Sequence, residues 1–97
     1  MITWIKDGEH LEQIQQKNKD FFILVFYGAF SQAAKRALNE LERFNKENEK
    51  IPVYVIDVAK VKGAHKQFNV TNVPTVLGLE NRKVISRIEG VQNAHFY

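Results

Sequence analysis

The sequence contains no cysteine, and this absence is its most restrictive feature. Without a thiol the chain cannot form a disulfide, bind a metal through cysteine or carry out thiol-disulfide exchange. Long apolar stretches are also absent, because the longest, at residues 21–27, is far shorter than the roughly 20 residues that cross a bilayer. The first residues lack the basic and apolar regions of a signal peptide. We therefore expect a cytoplasmic protein with no membrane partner.

Charge of one sign is not in large excess either. The chain has 14 basic and 11 acidic residues, and its one dense basic cluster consists of Lys60, Lys62, His65 and Lys66. Nucleic-acid binding usually needs a larger basic surface or a recognisable motif. We therefore expect no nucleic-acid partner and interpret the cluster as a solvated helix face, the alternative being contact with an anionic partner. The three histidines lack the spacing of metal ligands, so the sequence predicts neither a metal site nor a cofactor.

No repeat, low-complexity tract or linker rich in proline, glycine or serine divides the 97 residues. We expect a single domain, residues 1–97, with one hydrophobic core. The apolar patterning predicts strands at 2–5, 21–27, 52–58, 73–79 and 83–88, and helices at 7–17, after Gly28 and at 61–68. This order indicates an α/β protein that begins with parallel crossovers and ends in an antiparallel hairpin.

Two of these elements have distinctive patterns. Residues 21–27 are apolar on both alternating faces, which is typical of a central strand covered on both sides. After Gly28, an apolar stripe at helical spacing predicts a long amphipathic helix of about five turns. Ser31 is the expected N-cap of that helix, because its side-chain oxygen can accept a hydrogen bond from a free amide.

The motifs within this order resemble the thioredoxin family, over nearly the whole chain. Residues 24–35, Leu-Val-Phe-Tyr-Gly-Ala-Phe-Ser-Gln-Ala-Ala-Lys, are similar to the family's strand, loop and helix start. Residues 70–75, Val-Thr-Asn-Val-Pro-Thr, are similar to its Val-Pro-Thr loop, and Gly90 fits the glycine after its last strand. The resemblance implies a central mixed sheet flanked by helices, with a C-terminal hairpin opened by a cis-proline at Pro74. We expect the family's final helix to be largely missing.

The resemblance also places Ser31 and Ala34 where the family has its two reactive cysteines. A serine hydroxyl stays protonated near neutral pH, and alanine has no reactive group. The family's buried acid and its lysine partner are replaced by Val25 and Val53. Exchanging both partners of a buried ion pair for apolar residues can be neutral or stabilising, which favours natural divergence of the site. We therefore expect a redox-inactive member, without the family's disulfide oxidoreductase activity.

The function implied by this resemblance is binding. We expect a non-catalytic module, related to proteins of cell redox homeostasis, that holds an extended peptide or protein segment. The candidate binding residues are Tyr27, Phe30, Ser31, Val73 and Pro74.

Each candidate has an alternative role. For Pro74 the alternative is that it only shapes the start of the hairpin, and for the aromatic side chains it is a place in the core. Ser31, beyond its cap role, could bind the sulfur of a small thiol such as glutathione. A third hypothesis is a structural or dimerising subunit that associates through a sheet face left uncovered by the missing helix.

Overall fold

The computed structural model describes residues 2–89. Strands and helices alternate and then end in two consecutive strands, as the apolar patterning predicted, so the α/β class is confirmed. In chain order the elements are β1 (Ile2–Trp4), α1 (Gly8–Lys17), β2 (Phe22–Tyr27), α2 (Gln32–Glu47), β3 (Val53–Asp57), α3 (Ala64–Gln67), β4 (Thr75–Glu80) and β5 (Lys83–Glu89). No helix within residues 2–89 has the length and apolar content needed to cross a membrane.

The strands of residues 2–89 form one mixed sheet in the order β1-β3-β2-β4-β5. β3 pairs in parallel with β1 and with β2, whereas β4 runs antiparallel to β2 and β5 runs antiparallel to β4. The carboxyl ends of β1, β2 and β3 therefore lie at the same edge as the start of β4. We call this the upper edge; Tyr27 lies opposite Asp57 there, and Phe26 lies opposite Thr75.

β2 is buried on both faces because its alternate side chains enter two separate apolar clusters. Phe22, Leu24 and Phe26 join the cluster that includes side chains of α1 and α3. Ile23 and Val25 join the second cluster, against which α2 packs. All five side chains are at most 8% exposed, which confirms the predicted central strand.

The two longer helices begin at side-chain caps. Asp7 precedes α1, and its Oδ1 accepts a hydrogen bond from the amide of His10 at 2.8 Å. α2 starts after Ser31 and has 16 residues, or about four and a half turns, slightly fewer than predicted. Because α2 follows β2, it starts at the upper edge of the sheet.

The third helix is shorter than predicted. Only Ala64–Gln67 is helical, whereas the pattern predicted a helix over residues 61–68. The backbone before it forms turns, in which the carbonyl of Asp57 accepts the amide of Val61 at 2.9 Å. Gly63 then has a positive φ of 84°, in the left-handed region that a right-handed helix cannot continue through.

The C-terminal strands form the predicted hairpin. Asn81 and Arg82 both have positive φ, 54° and 67°, which matches the tight turns that fit the twist of a hairpin. β5 is an edge strand, and three of its large apolar side chains are 41–58% exposed: Val84, Ile85 and Ile88. The predictions for Gly90 and for the final helix lie outside the described residues.

Candidate functional site

The start of α2 holds the two positions that the resemblance matched to cysteines. Ser31 has an extended backbone, and its Oγ accepts a hydrogen bond from the amide of Ala34 at 3.0 Å. The predicted N-cap is therefore confirmed. Ala34 is fully buried and contributes only a methyl group. The two positions are joined by a helix cap, and neither offers a thiol that could attack a disulfide.

Ser31 keeps one donor and one acceptor site beyond the cap. A hydroxyl has one donor and two acceptor sites, and the Ala34 amide uses one acceptor site. The O–H proton remains available to a bound acceptor. The hypothesis that Ser31 binds the sulfur of a small thiol therefore stays a prediction, and saturable glutathione-dependent NMR shifts at Ser31 and Ala34 would be its expected result.

The layer beneath the start of α2 is apolar. Val25 and Val53, which replace the acid and lysine of the resemblance, are 0% and 1% exposed. Both belong to the cluster against which α2 packs, together with Ile23 and Val55. Across β2 and β3, Val25 lies opposite Val55 and Ile23 lies opposite Val53. The structure confirms that these positions are core, and none of the four side chains can take up or release a proton.

Phe30, one residue before the cap, has a very different environment. Its side chain is 79% exposed, the highest value among the large apolar side chains of residues 2–89. A Cβ atom at Gly28 would lie 2.6 Å and 2.8 Å from two ring carbons of Phe30, and 3.1 Å from Cγ2 of Val73. Only glycine permits these approaches. Gly28 therefore allows Phe30 and Val73, which are distant in sequence, to lie side by side.

A groove opens between Phe30 and the loop that precedes β4. It encloses about 340 Å³ and is lined by Phe30, Val58, His65, Val70, Thr71, Asn72 and Val73. We call it the Phe30 groove. Its volume is near the lower end of the roughly 300–1,000 Å³ typical of ligand pockets. Its four large apolar side chains suit one or two apolar side chains of a bound segment.

The loop along the groove is held at both ends. The amide of Val70 donates to the carbonyl of His65 at 2.7 Å, which ties the loop to α3. At the other end, the hydroxyl of Thr75 donates to the carbonyl of Asn72 at 2.7 Å. The Val73–Pro74 peptide bond is cis, as the resemblance implied. Val73 lies two residues before Thr75, the first residue of β4.

The structure brings together only part of the predicted binding set. Phe30 and Val73 line the groove, Ser31 follows Phe30 at the helix start, and Pro74 is buried next to Val73. Tyr27 lies elsewhere: its ring packs edge-on against Trp4, with 5.4 Å between ring centroids, on the face covered by α2. The alternation of β2 explains this, since Tyr27 and Val25 share a face and Phe26 points to the other.

Sequence analysis missed much of the groove lining. Val70, Thr71 and Asn72 directly precede the Val-Pro-Thr motif, and that position was the available signal. His65 had none, because a four-residue helix has no periodicity to show which side faces a neighbour. The three lysines of the basic cluster are exposed as predicted, but only Lys66 is on a helix, since Lys60 and Lys62 lie in the turns before α3. His65 is partly buried. Its Nδ1 is buried without a hydrogen-bond partner among the described residues.

No set of three or more His, Asp or Glu side chains within residues 2–89 is grouped as metal ligands would be. His95, the third histidine, lies outside the described residues. The groove also has no acidic residue in its lining. The groove can make apolar contacts with a ligand, and its lining also offers backbone, hydroxyl, amide and imidazole groups for hydrogen bonds.

Comparison with known proteins places this geometry in a family. Residues 2–96 match the family model described as thioredoxin. The fold is similar to thioredoxin of Fasciola hepatica, at 18% identity and a TM-score of 0.83, over 97% of this chain and 91% of that one. A Plasmodium falciparum thioredoxin is 19% identical, with a TM-score of 0.84, and the match again covers 97% of this chain and 91% of that one. A Nicotiana alata thioredoxin is 14% identical, with a TM-score of 0.87, over 98% of this chain and 85% of that one.

No curated protein sequence matches the chain. Identities below 20% to solved structures show the fold alone, whereas the family model covers nearly every residue. The expected thioredoxin-like fold is confirmed by both. The chain therefore belongs to the thioredoxin family, as a member without the cysteines on which the family's disulfide reductase chemistry depends.

Proposed function

We propose that this chain is a non-catalytic binding module that holds an extended peptide or protein segment in the Phe30 groove. The main observation in support of this proposal is the exposed ring of Phe30, which is 79% accessible beside an apolar cavity. Burying a phenylalanine side chain is worth about 1.5–3 kcal/mol, so a partner that covers this ring gains a substantial part of a binding free energy. Exposed aromatic side chains beside a groove are typical of binding surfaces.

Val73 supports an extended shape for the bound segment. It lines the groove and comes two residues before the first paired position of β4, where Thr75 lies opposite Phe26. A segment that runs along this loop can pair with the backbone in the manner of an added strand, while its side chains enter the groove. The proposal includes a cytoplasmic location, and a binding role in redox homeostasis in place of turnover.

The test begins with selection of binders from a random peptide library displayed on phage, using the wild-type protein. The selected peptides are then titrated into Phe30→Ala and into Ile85→Ala. Ile85 is the matched control, since it is a 54% exposed apolar residue on β5, away from the groove. We expect Phe30→Ala to weaken binding about tenfold and Ile85→Ala to leave it unchanged. Failure to select any peptide, or equal losses in both variants, would contradict the proposal.

A second candidate function, a structural or dimerising subunit, is favoured by the outer edge of the sheet. Val84, Ile85 and Ile88 are exposed on β5, and an edge strand with apolar side chains can pair with another chain. Light scattering at high protein concentration distinguishes this candidate. A dimer that Ile85→Lys converts to a monomer would support it, and a monomer at all concentrations would exclude it.

A further inference from the structure

Basic residues are concentrated in the two segments that build the Phe30 groove. Residues 28–39 and 58–79 contribute every lining residue, and they hold five of the 14 basic residues and none of the 11 acidic ones. The five are Lys35, Arg36, Lys60, Lys62 and Lys66, all of them exposed. The rest of the chain has more acidic than basic residues. The positive net charge of the protein is therefore concentrated on the segments around the groove.

The start of α2 adds to this positive potential. Free amides and the helix dipole give the first turn of a helix a partial positive charge, which acidic side chains usually balance. The first turn of α2 has no acidic residue, and Lys35 and Arg36 follow at once. Phe30 and Ser31 lie immediately before this turn. Phe30 therefore adjoins a helix start without acidic compensation, and the other segment that forms the groove carries exposed lysines.

Three acidic side chains near the upper edge, those of Asp57, Glu89 and Asp7, are engaged by neighbouring groups. Asp57 is buried, and its Oδ1 accepts the amide of Ala59 at 2.9 Å. Glu89, which lies opposite Thr75, has a carboxylate oxygen 3.8 Å from a guanidinium nitrogen of Arg87. Asp7 caps α1, which follows the edge strand β1. These carboxylates do not line the groove.

His65 provides an independent observation within the groove wall. Its side chain lines the cavity, and its Nδ1 is buried without a partner among the described residues. An unpaired buried polar atom is costly, and most such atoms in native proteins have a partner. Because this nitrogen is buried, a ligand can provide that partner only if the imidazole ring turns toward the cavity. The groove therefore combines an apolar lining and an imidazole with a neighbouring basic cluster, since Lys60, Lys62 and Lys66 belong to the segment that contributes Val58 and His65. We call these three lysines the basic rim.

We propose, on the basis of the binding role proposed above, that the groove takes an acidic segment: an extended peptide whose apolar side chain enters the cavity and whose neighbouring carboxylates face the basic rim. The apolar side chain contacts Phe30, Val58 and Val70. The carboxylates lie in the field of Lys60, Lys62 and Lys66. This distribution of charge accelerates association with acidic partners and disfavours basic ones.

Two labelled peptides test the charge requirement. Both have a Leu-Phe-Leu centre; one is flanked by pairs of glutamates and the other by pairs of glutamines. We expect the acidic peptide to bind about tenfold more tightly at low salt, with most of the difference lost near 0.5 M salt, where charges are screened over a few ångströms. Equal affinities would overturn the acidic preference and leave the binding function standing. No binding of either peptide would overturn both.

Matched triple substitutions locate the effect. Lys60→Gln/Lys62→Gln/Lys66→Gln removes the rim charges, and Lys17→Gln/Lys46→Gln/Lys50→Gln removes three exposed charges at the opposite ends of α1 and α2. We expect the first set to weaken binding of the acidic peptide about tenfold, because three exposed ion pairs are lost, and to leave binding of the glutamine peptide unchanged. Equal effects of both sets would overturn the proposal. Tighter binding of a short oligo-dT than of the acidic peptide would also overturn it.

Discussion

The start of α2 and the Phe30 groove lie side by side at the upper edge of the sheet. The first, which we call the closed region, is capped and packed on core; the second, the open region, is a solvent-accessible cavity. Ser31 caps the helix, Ala34 is buried, and Val25 lies in apolar core below them. One residue away, Phe30 exposes its ring beside a cavity of about 340 Å³. The reaction centre of this fold and the groove beside it are built from different side chains, so one can be replaced while the other is kept.

The largest expected effect comes from putting a charge back into the closed region. Val25→Asp places a carboxylate among Ile23, Val53 and Val55, where it has no partner. We expect the free energy of unfolding to fall by about 3–5 kcal/mol, measured by urea denaturation. Adding Val53→Lys should restore part of this loss, because the two positions lie on one face of neighbouring strands.

Val84→Asp is the control for this substitution. Val84 is 41% exposed on β5, so the same chemical change should cost less than about 1 kcal/mol. Equal losses for Val25→Asp and Val84→Asp would show that the layer under α2 is not the dry core described above.

The next effect concerns the open region. In Gly28→Ala, the added methyl group must push the ring of Phe30 away, since it would lie 2.6 Å from a ring carbon. The exposed ring can swing outward, so we expect less than about 1 kcal/mol of lost stability but several-fold weaker peptide binding. Fluorescence anisotropy with a selected peptide measures the affinity. Gly8→Ala, where an added Cβ has no neighbour within 4 Å, should bind normally; unchanged affinity in Gly28→Ala would refute the role given to Phe30.

A smaller effect is expected at the helix cap. Ser31→Ala removes the acceptor for the Ala34 amide and should lower stability by about 1 kcal/mol in thermal or urea unfolding. Ser31→Asp should keep most of the stability, because a carboxylate accepts the same amide and suits a helix N-terminus. If Ser31→Asp loses as much as Ser31→Ala, the hydrogen bond at this position is not the stabilising feature.

The last prediction is that the chain has no effect on the rate of insulin reduction. With dithiothreitol as the reductant, the wild-type chain should not accelerate insulin reduction beyond the uncatalysed rate, because the attacking step requires a thiolate. A thioredoxin assayed in parallel supplies the positive control. Acceleration by the cysteine-free chain would require a different reaction centre.

The closed region could be predicted from sequence, whereas much of the open one could not. Ser31 has a residue type suited to a cap, and Val25 belongs to an uninterrupted apolar strand, so local pattern was sufficient for both. The groove depends on contacts between distant segments. His65 lines the groove in a helix that starts only after Gly63, and the amide of Val70 donates a hydrogen bond to the carbonyl of His65. No periodicity in a four-residue helix indicates that placement.

Tyr27 is a case in which the alternation of the strand was sufficient to predict the side-chain position. Alternation along β2 puts Tyr27 on the face of Val25, where its ring meets Trp4. Its position beside Gly28 made Tyr27 a candidate binding residue, with the core as the alternative. The two-residue period of the strand directs its side chain to the face of the sheet opposite Phe26.

The separation of the two regions is tested most directly by comparing peptide affinity in Phe30→Ala and Ser31→Ala. The two residues are adjacent in sequence, but one belongs to the open groove and the other to the capped helix. We predict that Phe30→Ala binds a selected peptide about tenfold more weakly and that Ser31→Ala binds it as the wild type does. An equal loss in Ser31→Ala would show that the capped centre still takes part in binding and would contradict the account.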